Sequence, residues 1–183
     1  MTPPMQPALA DERVLLRPMA ADDWDALYAV ASDPLIWALH PAHDRWKEPV
    51  FRTYFEQGLA SNGALVAIDR STGRVIGSSR YDIRVALPGE VEIGWTFLVR
   101  SHWGGAWNAS MKRLMLEHAF TIFDTAIFLV GETNLRSRRA MEKIGGRLTD
   151  RRQSWDMAGV QTGHVIYAIT RDDFARGPLA RSG

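Results

Sequence analysis

The residues best suited to chemistry sit where a strand passes into a long helix, in the run Leu98-Val99-Arg100-Ser101-His102-Trp103-Gly104-Gly105-Ala106-Trp107-Asn108. A glycine pair lets backbone N–H groups come close to a ligand, and a helix N-terminus adds unpaired donors and the positive end of the macrodipole. Such a turn can cradle a phosphate or pyrophosphate; its plainer reading is a tight turn that needs glycine. A second polar run spans Gly131 to Gly145, where Thr133 or Asn134 is a natural helix N-cap. Arg136, Arg138, Arg139 and Lys143 in that run either meet phosphates or form the solvated face of a helix. A third group, Trp37, His40, His43 and Trp46, puts four rings into one short connection. These rings suit a pocket for an apolar or cationic group, or they anchor the connection to the core. His40 and His43 have no third ligand at a workable spacing, so no metal site is predicted.

The elements that must hold these residues follow from apolar periodicity. Val14 to Leu16 reads as a short strand, Ala21 to Ala31 as a helix carrying Trp24, Leu27, Tyr28 and Ala31 on one face, and Val50 to Leu59 as a second helix. Ala64–Asp69 and Arg74–Tyr81 flank the connection Arg70-Ser71-Thr72-Gly73, and Val91–Val99 follows the turn residues Leu87-Pro88-Gly89, giving three antiparallel strands in succession. Met111, Leu114, Met115, His118 and Ile122 recur at helical spacing beyond the glycine pair. Ala126–Val130 is a short continuous apolar run of the kind found in a doubly covered central strand, and the strand-helix-strand-helix order here implies a parallel pairing. Leu135 to Ile144 is an amphipathic helix stopped by Gly145-Gly146, and Arg147–Asp156 with His164–Thr170 closes the chain as a hairpin. The expected fold is therefore mixed α/β (α+β). A central mixed sheet of about seven strands in the order β-α-α-β-β-β-α-β-α-β-β carries helices on both faces.

Composition narrows the possible functions. At 183 residues the chain is expected to form one domain over 1–183, with frayed tails at about 1–10 and 177–183. Hydrophobic residues at 46% and charged residues at 23% are ordinary globular usage. Twenty-two Lys+Arg against 21 Asp+Glu leave a net charge of +1, without the field a nucleic-acid binder uses, so neither nucleic acid nor membrane is an expected partner. No apolar run reaches the roughly 18 residues of a membrane span, and the start lacks the features of a secretory signal, so a cytoplasmic location is expected. The absence of cysteine excludes thiolate nucleophiles and disulfide frameworks.

Taken in order, several segments resemble the GNAT superfamily of N-acetyltransferases over about Arg13 to Thr170. They are Arg13-Val14-Leu15-Leu16-Arg17-Pro18 with Asp22 or Asp23, the Gly77 strand, Glu92-Ile93-Gly94-Trp95, Trp103-Gly104-Gly105-Ala106-Trp107-Asn108, and Asn134 through Gly145. The resemblance is to the branch of ribosomal-protein N-terminal (alanine/serine) acetyltransferases. One departure stands out. The family's acyl-CoA loop, Gln/Arg-x-x-Gly-x-Gly/Ala, finds its nearest frame at Trp103, which puts Ala106 and Asn108 at the two small positions.

The resemblance implies acetyl-CoA as acyl donor and an amine as acceptor, joined in a ternary complex of a monomer or homodimer. Gly104, Gly105, Ala106, Trp107, Asn108 and Arg139 would serve the cofactor's phosphates. The backbone of Phe97 and Leu98, with the Asn134 side chain, would receive the pantetheine arm where the family's sheet opens. Glu92 would accept the amine proton and Ser137 would protonate the departing thiolate. Trp37 and His40 would line the acceptor pocket. Two other readings compete: a catalytically weak acyl-CoA-binding regulatory protein of the same fold, favoured by Ala106 and Asn108, and a nucleotide-binding α/β protein, which lacks both GxGxxG and GxxxxGK[ST].

Overall fold

A computed structural model of the chain describes residues 5–180. The strands are β1 (Leu9–Ala10), β2 (Val14–Pro18), β3 (Ala64–Asp69), β4 (Val75–Asp82), β5 (Glu90–Leu98), β6 (Thr125–Gly131), β7 (Arg147–Met157) and β8 (Val160–Thr170). The helices are α1 (Trp24–Ala31), α2 (Pro34–Trp37), α3 (Glu48–Ser61), α4 (Ala106–Ala119), α5 (Leu135–Lys143) and α6 (Arg171–Arg176). The strands form one sheet in the order β1-β2-β3-β4-β5-β6-β8-β7. Among the described residues every neighbouring pair is antiparallel except β5 with β6.

The side-chain alternation of a strand decides which face each residue serves. In β3, Leu65 and Ala67 join the cluster beneath α4 that includes Met111, Met115 and Leu116, whereas Ala64 and Val66 join the one beneath α1 and α3 with Leu27, Phe51 and Phe55. The sheet is thus covered on both faces, as the mixed pattern of the sequence requires. Local signals set the helix limits: Asp33 Oδ1 accepts from the Leu35 N–H at the start of α2, and Pro49 occupies the first turn of α3. At the end of α5 the Gly146 N–H donates to the Met141 carbonyl at 2.8 Å.

Three expectations need correction. The sheet has eight strands, because Leu9–Ala10, assigned to a frayed tail, pairs with Leu15 and Leu16. Met5 and Leu179 also pack against the core, so the tails are anchored as far as residues 5 and 180; residues 1–4 and 181–183 lie outside the described ones. The connection from Pro34 to Lys47, read as an aromatic loop, contains the short helix α2. A two-residue strand and a single helical turn carry too few residues to show a period, which is why both escaped the pattern.

Candidate active site

The site begins with a failure of strand pairing. β5 and β6 pair at Glu90/Thr125, Val91/Ala126 and Glu92/Ile127, and the ladder stops there. On its other side β5 carries a bulge against β4: Ser78 faces Phe97 and Arg80 faces Gly94, so Ser79 stands opposite both Trp95 and Thr96. Trp95 holds φ at 53°, and the Tyr54 hydroxyl donates to its carbonyl at 2.6 Å. Beyond Glu92, residues 93–98 have no ladder partner in β6. A cavity of about 640 Å³ occupies the opening.

Glu92 lies on the last paired rung and lines this cavity. It is 5% exposed, and its carboxyl has no hydrogen-bond partner among the described residues. Burial, reinforced by the nearby Asp82 carboxylate, pushes Glu92 up to about 7, with Arg80 and Arg84 opposing. On the facing wall, α5 is capped by Asn134, whose Oδ1 accepts from the Ser137 N–H at 3.3 Å. Asn134 and Ser137 both line the cavity. The Asn134 amide nitrogen and the Ser137 hydroxyl have no protein partner among the described residues, so each is available to a ligand.

At the start of α4, Gly104 takes φ 71° and Gly105, in extended conformation, is the N-cap with no side-chain cap. A Cβ added at Gly105 would meet only Trp107 Cδ1, at 3.7 Å, so the space beside Gly105 is open. Asn108, one turn on, reaches the cavity itself. Of the turn Gly104–Asn108 only Asn108 lines the cavity, and Phe97 and Leu98 are not among its lining residues either; the uncapped helix start is suited to an anion.

The structure brings Glu92, Asn108, Asn134, Ser137 and His40 to one cavity. Phe97 and Leu98 bury their side chains in opposite core clusters, and the Leu98 carbonyl already accepts from Trp103 Nε1 at 2.9 Å, so a ligand could meet only what remains of their backbone. Arg139 is exposed and lies outside the cavity lining. Trp37 is 2% exposed, donates through Nε1 to the Ala31 carbonyl at 2.8 Å, and forms part of the core beneath His40 rather than the cavity wall.

Several wall residues had no signal that was read from the sequence. Lys112 is 4% exposed; its Nζ donates to Thr96 Oγ1 at 2.7 Å and lies 5.6 Å from the centre of the Phe128 ring. Burial brings its ammonium down to about 7. Its placement four residues after Asn108 on one helix face was the available clue. Arg45, Trp95, Thr96, Trp155 and His164 also line the cavity, and the last two reach it through hairpin register, which the sequence does not display.

A model of the acetyltransferase (GNAT) domain family matches residues 13–147, most of the chain. The chain belongs to the GNAT acetyltransferase family. The GNAT fold is also that of many solved structures. A GCN5-related N-acetyltransferase from Brucella melitensis is 20% identical, with a TM-score of 0.77 over 92% of this chain and 80% of that one. Mycobacterium smegmatis RimJ in complex with CoA-disulfide is 18% identical, with a TM-score of 0.65 over 95% and 90%. Spermidine N-acetyltransferase from Vibrio cholerae, in complex with CoA and spermine, is 13% identical, with a TM-score of 0.68 over 90% and 99%. At such identities the shared property is the fold. No curated protein matches the chain in sequence. Among the described residues no helix is long and apolar enough to cross a membrane.

Proposed function

We propose that this GNAT chain, as one acyltransferase domain, transfers an acetyl group from acetyl-CoA to a primary amine by direct attack in a ternary complex. The observation that carries the reading is the opened β5–β6 edge, with an unpaired carboxyl on one wall and an unpaired hydroxyl on the other. Pantetheine would lie along the free edge at Phe97 and Leu98 and meet the Asn134 amide, while the phosphates would sit over the α4 N-terminus between Gly104 and Asn108. A β5 backbone N–H would polarise the thioester oxygen.

An ammonium is no nucleophile, so its proton must leave first. Glu92, poised near neutrality, accepts that proton directly or through one water, the free amine forms the C–N bond, and as the C–S bond breaks the acylated nitrogen sheds its second proton to solvent. Ser137 donates its proton to the departing sulfur and is reprotonated from solvent. No enzyme thioester is formed, which suits a chain without cysteine. The acceptor is a peptide α-amine, as the resemblance to the ribosomal-protein branch and the likeness to RimJ suggest, or a small-molecule amine, as the likeness to a spermidine acetyltransferase suggests.

Free-thiol release from acetyl-CoA, followed with a panel of peptides, polyamines and amino acids, tests the reading. Amine-dependent release with an N-acetylated product supports it. Tight CoA binding with no amine-dependent release would favour the regulatory alternative instead.

A further inference from the structure

The cavity holds two hydrogen-bond donors that the transfer chemistry leaves unused. The Arg45 guanidinium lies 5.2 Å from the centre of the Trp37 ring and 5.0 Å from that of Tyr54. Both rings are fixed from behind, Trp37 by its bond to the Ala31 carbonyl and Tyr54 by its bond to the Trp95 carbonyl. On this aromatic shelf the guanidinium lines the cavity, yet among the described residues it has neither a hydrogen-bond acceptor nor a carboxylate within ion-pair distance. Every other arginine that lines this cavity is paired: Arg84 with Asp82 at 2.9 Å.

His40 stands beside it, packed edge-on to the same Trp37 ring with centroids 5.6 Å apart. Its Nδ1 accepts from the Ala42 N–H at 2.9 Å, so the neutral ring carries its proton on Nε2. Burial, and then the charges of Arg45, His164 and Arg136, hold the ring neutral by pushing it down to about 3. Nε2 has no acceptor among the described residues. The segment is locked in place by Pro41, which fills the space beside Gly131 so closely that a Cβ there would fall 2.4 Å from Pro41 Cγ. Polar groups held in a cavity without partners call for an explanation, and a rigid charged fork beside a neutral N–H is complementary to a carboxylate. Arg45 and Glu92 share the cavity and both feel the charge of Arg80.

We propose that Arg45 and His40 form an oxyanion subsite for the acceptor, so that the amine acetylated here carries a carboxylate, as an amino acid does. The subsite rests on the transfer reading above: Glu92 receives the ammonium end of the acceptor, and Arg45 with His40 receives its anionic end. A polyamine would place a cation against the unpaired guanidinium, and a simple alkylamine would leave both donors unmatched.

The test compares acceptors that differ only in the anionic end: amino acids, their C-terminal amides, the corresponding aminophosphonates, and spermidine. Thiol release should give kcat/KM at least tenfold higher for the acids than for the amides, and lower values for the phosphonates mark a carboxylate rather than any oxyanion as the preferred group. Arg45→Gln should remove the preference by raising KM for the acids, with kcat and acetyl-CoA affinity retained. Arg45→Lys, which keeps the charge but not the fork, should retain part of the preference and guards against a folding defect. Equal kcat/KM for acids and amides in the wild type, or an Arg45→Gln variant that loses acetyl-CoA affinity instead, overturns the subsite. Calorimetric titration of the same pairs onto the protein separates the two layers. No turnover with any amine overturns the transfer reading, whereas equal binding of acid and amide overturns the subsite.

Discussion

The end of β4 and the buried face of α4 treat ionic groups in opposite ways. Arg80 and Asp82 are both buried and meet at 2.8 Å; Arg84 adds a second bond to Asp82, and the Arg80 guanidinium lies 3.8 Å from the centre of the Trp95 ring. Across the cavity Lys112, just as buried, has only a neutral hydroxyl to hold, and Glu92 has no partner at all among the described residues. A buried charge stabilises a fold only when it is matched. The first group is therefore a clamp that fixes the bulged strand, and the second is a set of groups held ready at a cost in stability. Burial displaces both unmatched groups to about 7, the carboxyl from below and the ammonium from above, whereas Arg84 and Arg80 overcome burial and hold Asp82 low.

The contrast can be broken first at the clamp. Asp82→Asn leaves Arg80 buried without its counter-charge and should destabilise the protein by about 3 kcal/mol or more, read by denaturant unfolding. It also removes the carboxylate that raises Glu92, so any acidic limb in the rate profile should move to lower pH.

Lys112→Met should act in the opposite direction and stabilise the fold at pH 7 by about 2 kcal/mol. The sign follows from linkage: the folded lysine loses its proton near 7 and the unfolded one near 10.5, so wild-type stability rises between those values. The advantage of the variant should shrink as pH rises through this window. A variant less stable than wild type at pH 7 would mean that the Thr96 bond outweighs desolvation.

Much of this architecture was legible in the sequence. Seven of the eight strands and the four longer helices were readable, as was the parallel step through Ala126–Val130, because alternation, apolar runs and amphipathicity are local properties. The family resemblance put Glu92, Asn134 and Ser137 forward, and all three line one cavity, while the glycine turn stood out by its place between strand and helix. Arg45, Trp155 and His164 were not, because they join the site through loop closure and hairpin register, which no local period encodes. Lys112 was hidden inside the apolar stripe of α4, where Met111 and Leu114 drew the reading toward packing.

The glycine turn before α4 gives a smaller effect. Gly105→Val should leave the fold intact, since the extended backbone accepts any residue and a Cβ meets nothing closer than 3.7 Å. It should weaken CoA binding in calorimetry about tenfold, or roughly 1.4 kcal/mol. Unchanged affinity would remove this turn from the site. Ser137→Ala should lower kcat the least, by less than about tenfold, because a thiolate leaves with little help.

Glu92 as the proton acceptor is the central role in the transfer, and the pH–rate profile of Glu92→Gln against wild type reads that role directly. Glu92→Gln should lower kcat by about 10² or more with acetyl-CoA affinity unchanged, and the deficit should narrow as pH rises and free amine becomes abundant. The same variant should gain stability above pH 7. A carboxyl whose folded pKa is raised from 4.5 to about 7 contributes stability below 4.5 that is lost as pH rises through 7. A Glu92→Gln enzyme with wild-type kcat at every pH, or one altered only in KM for the amine, would contradict the account and leave Glu92 as a ligand for the ammonium alone.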